Sequence, residues 1–209
     1  MLIETIIAIF LLVCLACFSS INLHNILIVH KRREDNLSSY AEVERPSDFA
    51  AGIAALGTLA YFLEALAYLF LVFSNSFSAL YAYPFYFRLP FAFYTQILGL
   101  ILTSSGYFLF IWSIIARSVY AVSWKMPENQ KLVTWGPYCY VRHPSYLAYF
   151  LVFFGLLFIW PSLFTLLPMI AIPGYYSITF EEEKLLTQRF GDEYQRYQKR
   201  TGRFIPRLR

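Results

Sequence analysis

The sequence is poor in charge. Only 14% of its 209 residues are Asp, Glu, Lys or Arg, against about 25% in a typical soluble domain. It holds three cysteines and three histidines. Three cysteines make no disulfide framework. Cys14 and Cys17 share one face of an apolar helix, and a CxxC metal or redox site wants a second pair in a polar setting, so both read as small packing residues. His24, His30 and His143 are too scattered for a metal site, and none is expected. A G-x-G-x-x-G loop is missing, which excludes a Rossmann-type nucleotide site. Nothing basic precedes Lys31. Leu15-Ala16-Cys17 is therefore a weak match to a lipoprotein cleavage site, and no cleaved leader is expected. There is no internal repeat and no low-complexity tract.

What the chain has instead is apolar length. Hydrophobic residues make up 58% of it and aromatics 20%. Crossing a bilayer takes about 20 consecutive apolar residues. Runs of that order lie at Leu2–Val29, Phe49–Phe73 and Phe91–Ala116. Ser47 or Asp48 is placed to cap the second. Its first half is rich in Ala and Gly, and Gly99 and Gly106 share a face of the third, so neighbouring helices should approach closely there. The tyrosines of the connector "YAYPFYFRLP" suit the membrane interface. After the longest hydrophilic segment, Arg117–Ser145, come two further runs, Tyr146–Trp160 and Ser162–Phe180, separated by Trp160-Pro161. The first is only about 22 Å long at 1.5 Å per residue. It is expected to start earlier, near Tyr140, or to thin the bilayer locally. The pair should form an antiparallel hairpin.

Charge placement tests this reading. With the N-terminus outside, five spans put 16 of the 17 basic residues on the cytoplasmic side, and only Arg88 falls outside. The net charge of +4 is therefore topological and does not point to nucleic acid. The expected fold is an all-α, polytopic integral membrane protein of five transmembrane helices, with a hairpin near the C-terminus and a cytoplasmic amphipathic C-terminal helix. Residues 1–120 would form three spans and 121–209 a catalytic region, together one membrane domain. In the last helix Leu186, Phe190, Tyr194 and Tyr197 form an apolar stripe. Glu181–Glu183 should start that helix and Lys199-Arg200 end it, matching its dipole. Gly191 marks a candidate break.

Two polar clusters flank the hairpin at its cytoplasmic mouth, Arg142-His143-Pro144 before it and Glu181–Glu183 after it. Antiparallel packing should bring them into one neighbourhood, although they are nearly forty residues apart. Each has a plainer reading. His143 would only cap the helix that Pro144 starts. Arg142 would be a snorkelling anchor, and the glutamates a charged helix start. Glu64, near the centre of the second span, is an intramembrane carboxylate and a functional candidate on that ground. It can equally hydrogen-bond a neighbouring helix.

The ordered set "LVTWGPYCYVRHPSY", a hydrophobic hairpin, and "EEEKLLTQRFGDEYQRYQKRTGRFIP" resembles the isoprenylcysteine carboxyl methyltransferase family and its phospholipid methyltransferase relatives, over about Ser123–Arg209. The resemblance implies methyl transfer from S-adenosylmethionine, with S-adenosylhomocysteine as product. It implies cofactor contacts from Gln130, Lys131, Leu132, Val133, Tyr138, His143, Pro144, Ser145, Tyr146 and Glu182, with Glu183 the next match for that cofactor-binding glutamate. Catalytic roles fall to Arg142 and Glu182. Two positions depart from the family pattern. Gln130 stands where a histidine is usual, and Ile178 stands where members carry a substrate-holding arginine.

Chemistry points the same way. A sulfonium donor carrying adenosine, an ammonium and a carboxylate needs an apolar pocket, which Tyr138, Tyr146 and Val133 can supply. It needs acceptors, which Glu182 can supply as acidic residues do for ribose. It needs a positive partner, from Arg142 or Lys131, unless that charge orients the acceptor's carboxylate instead. A carboxylate acceptor is already ionised at neutral pH and requires no general base, in keeping with the lack of any Ser-His-Asp or Cys-His arrangement. The expected acceptor is the C-terminal carboxylate of an isoprenylcysteine or a similar lipophilic acid, reaching the site from the membrane lipids. Alternatives are N-methylation of a phospholipid or other amine, and a non-enzymatic scaffold or transporter centred on Glu64.

Overall fold

The computed structural model describes residues 2–30, 40–42, 47–82, 85–89, 91–120, 125–127 and 130–207. Most of the basic run at residues 31–45 lies outside them. Among the described residues six longer helices carry the fold, α1 (Leu2–His24), α2 (Asp48–Phe73), α3 (Ala92–Arg117), α4 (Pro144–Ile159), α5 (Ala171–Phe190) and α6 (Asp192–Arg200), beside a single turn of helix at Phe77–Leu80. A π-helical stretch, Asn25–His30, continues α1. The strands Tyr40–Glu42 and Lys125–Pro127 pair antiparallel as a two-stranded ribbon.

Among the described residues, three helices are long and apolar enough to cross a membrane: Ile3–Leu27, Asp48–Phe73 and Ala92–Arg117. This is a helical integral membrane protein. Large apolar side chains point outward along the spans, among them Leu59, Leu63, Leu66 and Phe70 on α2 and Ile101, Phe108 and Ile115 on α3. Ser47 caps α2, its hydroxyl accepting from the Ala50 amide at 3.3 Å.

Glycine sets the helix spacing. A methyl group added at Gly99 would lie 2.7 Å from the Gly155 carbonyl, and one at Gly106 would lie 2.9 Å from that of Ala148. The backbones of α3 and α4 therefore touch along this seam. A second seam joins α2 to α5, where Gly57 abuts Ala171 and Gly174 abuts the Ala50 carbonyl. Between the seams lies the main core, with Tyr61, Phe153 and Leu156 almost fully buried. Tyr61 and Tyr107 satisfy one another's hydroxyls at 2.9 Å.

Two expectations about the hairpin are corrected. Its first arm does not begin near Tyr140: Gly136–Cys139 is a 3-10 turn and the helix starts at Pro144, whose ring suits a first turn. The second arm opens with a 3-10 segment, Phe164–Ile170, containing Pro168. The α-helix then runs unbroken from Ala171 through Glu181–Glu183 to Phe190. The glutamates sit within a helix and start none, so a dipole has no part in placing them. The break does fall at Gly191, in a left-handed conformation (φ 52°) that a side chain would strain. Asp192 and Glu193 open α6, and Lys199 and Arg200 close it.

Candidate functional site

The site is assembled where α3 ends, α4 begins and the polar half of α5 emerges. Gly136 turns the chain at φ 62° against Ala116 on α3. The Trp135 indole donates to the Ala116 carbonyl at 2.9 Å. Ser145, on the first turn of α4, exchanges a 2.8 Å hydrogen bond with Ser113 on α3. These contacts fix the segment 130–146 against the bundle.

A segment beyond α6 then crosses this base. Val141 bridges Gly202. The Arg142 amide donates to the Gly202 carbonyl at 2.9 Å and the His143 amide to the Arg203 carbonyl at 3.2 Å. Gly202 is required there, because a methyl group on it would collide with the Ile205 carbonyl.

At the centre lies Glu183. Its Oε1 accepts from Arg142 Nε at 2.9 Å, His143 Nε2 at 3.1 Å and Arg203 Nε at 3.0 Å. Its Oε2 accepts from Arg203 Nη2 at 2.8 Å and Gln198 Nε2 at 3.2 Å. Arg142 also donates to the carbonyls of Gln198 and Thr201. Arg203 stacks over the Phe180 ring at 4.0 Å. Burial alone would push the Glu183 carboxyl up, but donors from His143, Arg203 and Arg142 hold it well below the usual carboxylate range.

Glu182, one residue earlier, faces the other way. Its Oε1 accepts from the Tyr146 hydroxyl at 2.6 Å, and its Oε2 lies 3.3 Å from His143 Nδ1. Both ring nitrogens of His143 thus face carboxylates, an arrangement satisfied only when both carry protons. Burial opposes that charge, yet donating to the Glu182 and Glu183 carboxylates raises its proton affinity above the ordinary histidine value. The His143 and Tyr146 rings are nearly parallel, 5.8 Å apart.

These side chains border a pocket that opens to solvent. Gln130, Lys131, Leu132, Val133, Tyr138, Arg142, His143, Pro144, Ser145, Tyr146 and Glu182 all line it. Glu183 does not, and sits behind the wall as its anchor. Arg117, Tyr120, Leu186, Tyr194 and Tyr197 complete the lining. The walls are largely apolar or aromatic, and three buried polar atoms among them have no partner among the described residues: Arg117 Nε, Gln130 Oε1 and the Tyr194 hydroxyl. Such atoms are rare unless a ligand or water meets them. No group of three or more potential metal ligands occurs among the described residues.

Residues 94–193 match the family described as phospholipid methyltransferase. The chain is 38% identical over 88 residues to the Protein-S-isoprenylcysteine O-methyltransferase of Schizosaccharomyces pombe, a span of 41% of this chain and 37% of that one. The resemblance to the isoprenylcysteine carboxyl methyltransferase family is borne out. A solved structure, the eukaryotic intramembrane Ras methyltransferase ICMT (isoprenylcysteine carboxyl methyltransferase) without a monobody, aligns with 26% identity and a TM-score of 0.44, covering 77% of this chain and 53% of that one. The chain therefore spans about a third to a half of the length of these relatives.

Sequence reasoning missed two arginines. In the sequence Arg117 is only the first charge of the hydrophilic segment Arg117–Ser145, yet it lines the pocket. Arg203 carries no spacing signal at all, since its partner Glu183 lies on another element. Ile178 is buried against Ala50 and Ala54 and brings no charge. Glu64 lies outside the pocket lining. It is buried on α2, and neither carboxyl oxygen has a hydrogen-bond partner among the described residues.

Proposed function

We propose that this protein is a membrane-embedded methyltransferase that uses S-adenosylmethionine to O-methylate the carboxylate of a lipophilic acceptor, the C-terminal carboxylate of an isoprenylcysteine or a similar acid. The observation that carries this reading is the pocket itself. It sits at the ends of apolar helices, combines aromatic walls with a held carboxylate, and contains three buried polar atoms that have no partner among the described residues. The fission-yeast relative, an isoprenylcysteine O-methyltransferase by name, suggests the acceptor class.

The residues present fit the cofactor. Leu132, Val133, Leu186, Tyr138 and Tyr146 offer flat apolar surface for adenine. Glu182 offers a carboxylate whose orientation Tyr146 and His143 have already set. Gln130 Oε1 offers a free acceptor, and Arg117 Nε a free donor. When bound, S-adenosylmethionine supplies an electrophilic methyl group. The chain's own work is alignment and exclusion of water, since a carboxylate nucleophile is ionised without help from a base. His143 is locked between two carboxylates, so its role is to hold Glu182 in place.

The remainder of the proposal is topological. The hairpin α4–α5 completes five spans, the N-terminus lies outside, and the pocket and α6 lie in the cytoplasm. Residues 121–209 form the catalytic region, with α3 lending it Arg117. A second reading, N-methylation of a lipid amine, is favoured by the phospholipid methyltransferase match. It requires a group that takes a proton from the amine, and His143 is already fully engaged.

Calorimetric titration of detergent-purified protein with S-adenosylhomocysteine tests the reading. Wild type should bind, and Glu182→Ala and Tyr146→Ala should bind at least tenfold more weakly. Absence of binding by wild type refutes the methyltransferase. Methyl-ester formation on a farnesylcysteine analogue then separates the two acceptor classes.

A further inference from the structure

The cationic groups around the pocket differ in how much hydrogen-bonding capacity they have left. Arg142 is committed to Glu183 and to the carbonyls of Gln198 and Thr201. Arg203 grips both oxygens of Glu183. His143 spends both ring nitrogens on Glu182 and Glu183. Lys131 is exposed, its Nζ 5.7 Å from the centre of the Tyr120 ring. Arg117 is different. It lines the pocket and hydrogen-bonds the Tyr138 hydroxyl, yet its Nε is buried with no acceptor among the described residues.

Position reinforces the contrast. Arg117 is the last residue of α3, an apolar helix long enough to cross a membrane. Its guanidinium therefore stands where the apolar span gives way to the pocket. Glu182 is the pocket's carboxylate, and both its oxygens are already taken by Tyr146 and His143. A guanidinium presents planar, paired N–H donors that match a carboxylate in a bidentate manner, which an ammonium cannot reproduce. A buried N–H left without an acceptor is costly, so this group is organised for an anionic partner from outside the chain.

We propose that Arg117 holds a ligand carboxylate in this pocket and so sets its preference for carboxylate-bearing ligands. The inference rests on the methyltransferase reading, which offers two sources: the amino-acid end of the donor and the lipophilic acceptor. Arg117→Gln and Arg117→Lys distinguish them. Affinity for S-adenosylhomocysteine is measured by calorimetry, with 5′-methylthioadenosine, which lacks the amino-acid portion, as control. KM is measured for a farnesylcysteine analogue, with the inhibition constant of its neutral carboxamide as control.

If Arg117 holds the acceptor, Arg117→Gln raises KM at least tenfold, leaves S-adenosylhomocysteine affinity within twofold, and leaves carboxamide inhibition unchanged. If it holds the donor, S-adenosylhomocysteine binds at least tenfold more weakly while 5′-methylthioadenosine binds as before. In either case Arg117→Lys recovers only part of the loss. Equal losses for charged and neutral ligands, or no change in either constant, overturn the assignment while leaving the methyltransferase standing. Failure of wild type to bind S-adenosylhomocysteine overturns both.

Discussion

Replacing Glu183 by glutamine tests the anchor behind the pocket. The substitution keeps the side chain's size but removes its charge and turns one acceptor into a donor, facing four donor groups. Arg142 is the partner that suffers most, because its side chain is only 9% exposed and, unlike the still more buried His143, it cannot shed its charge. Stranding a buried charge costs about 3–5 kcal/mol. Arg142 keeps the Gln198 and Thr201 carbonyls, which argues for the lower figure. Arg203 is 21% exposed and can rehydrate, so its loss adds no more than about 1 kcal/mol. A net loss of about 3 kcal/mol corresponds to roughly a hundredfold rise in local opening. The Arg142 and His143 amides report it directly, because they donate to the Gly202 and Arg203 carbonyls. Hydrogen exchange of peptides covering 138–146 in Glu183→Gln should accelerate about a hundredfold, while α3 peptides around Gly99–Gly106 stay as in wild type. Exchange within threefold of wild type at 138–146 would refute the view that Glu183 fastens the crossing segment.

Gly202→Ala should reproduce that exchange pattern without touching any charge, because its methyl group collides with the Ile205 carbonyl. In pH titrations, the His143 contribution has a raised folded-state pKa. It is fully present below about pH 6.5 and is lost as pH rises through the folded value; Glu183, held low, contributes above about pH 4.3 and is lost only as pH falls through its folded value. S-adenosylhomocysteine affinity measured from pH 6 to 9 should therefore fall toward the alkaline end, and a rise would contradict the sign. Gly155→Val should fail to yield folded, monodisperse protein in detergent, since its first added carbon already collides with Thr103.

The long spans were legible because apolar length and the glycine faces obey simple periodicities, and Ser47 caps where its type and position suggest. The hairpin was less so. A fall in hydropathy at Phe180 marks where a side chain leaves the apolar environment, and it was read as the end of one helix and the start of the next. The backbone disagrees: α5 runs on, because Glu183 finds donors on three other segments and has no need of a helix end. Within the pocket, the residues of 130–146 form one contiguous stretch and could be read together. Arg117 and Arg203 come from elements on either side of it, and no local pattern signals a contact that only tertiary packing creates.

The two glycine seams restrict traffic. Along α3–α4 and along α2–α5 backbone meets backbone, with no side chain between them to swing aside. A lipid tail has no path through either. Between α4 and α5 the filling is different: Tyr146, Tyr149 and Tyr175 stack face to face, with centroids 4.7 and 5.3 Å apart. Rings rotate where main chains cannot. The hairpin side of the bundle is thus closed by rings, two of them tied through their hydroxyls to Glu182 and Thr58, where the other two contacts are closed by main chain.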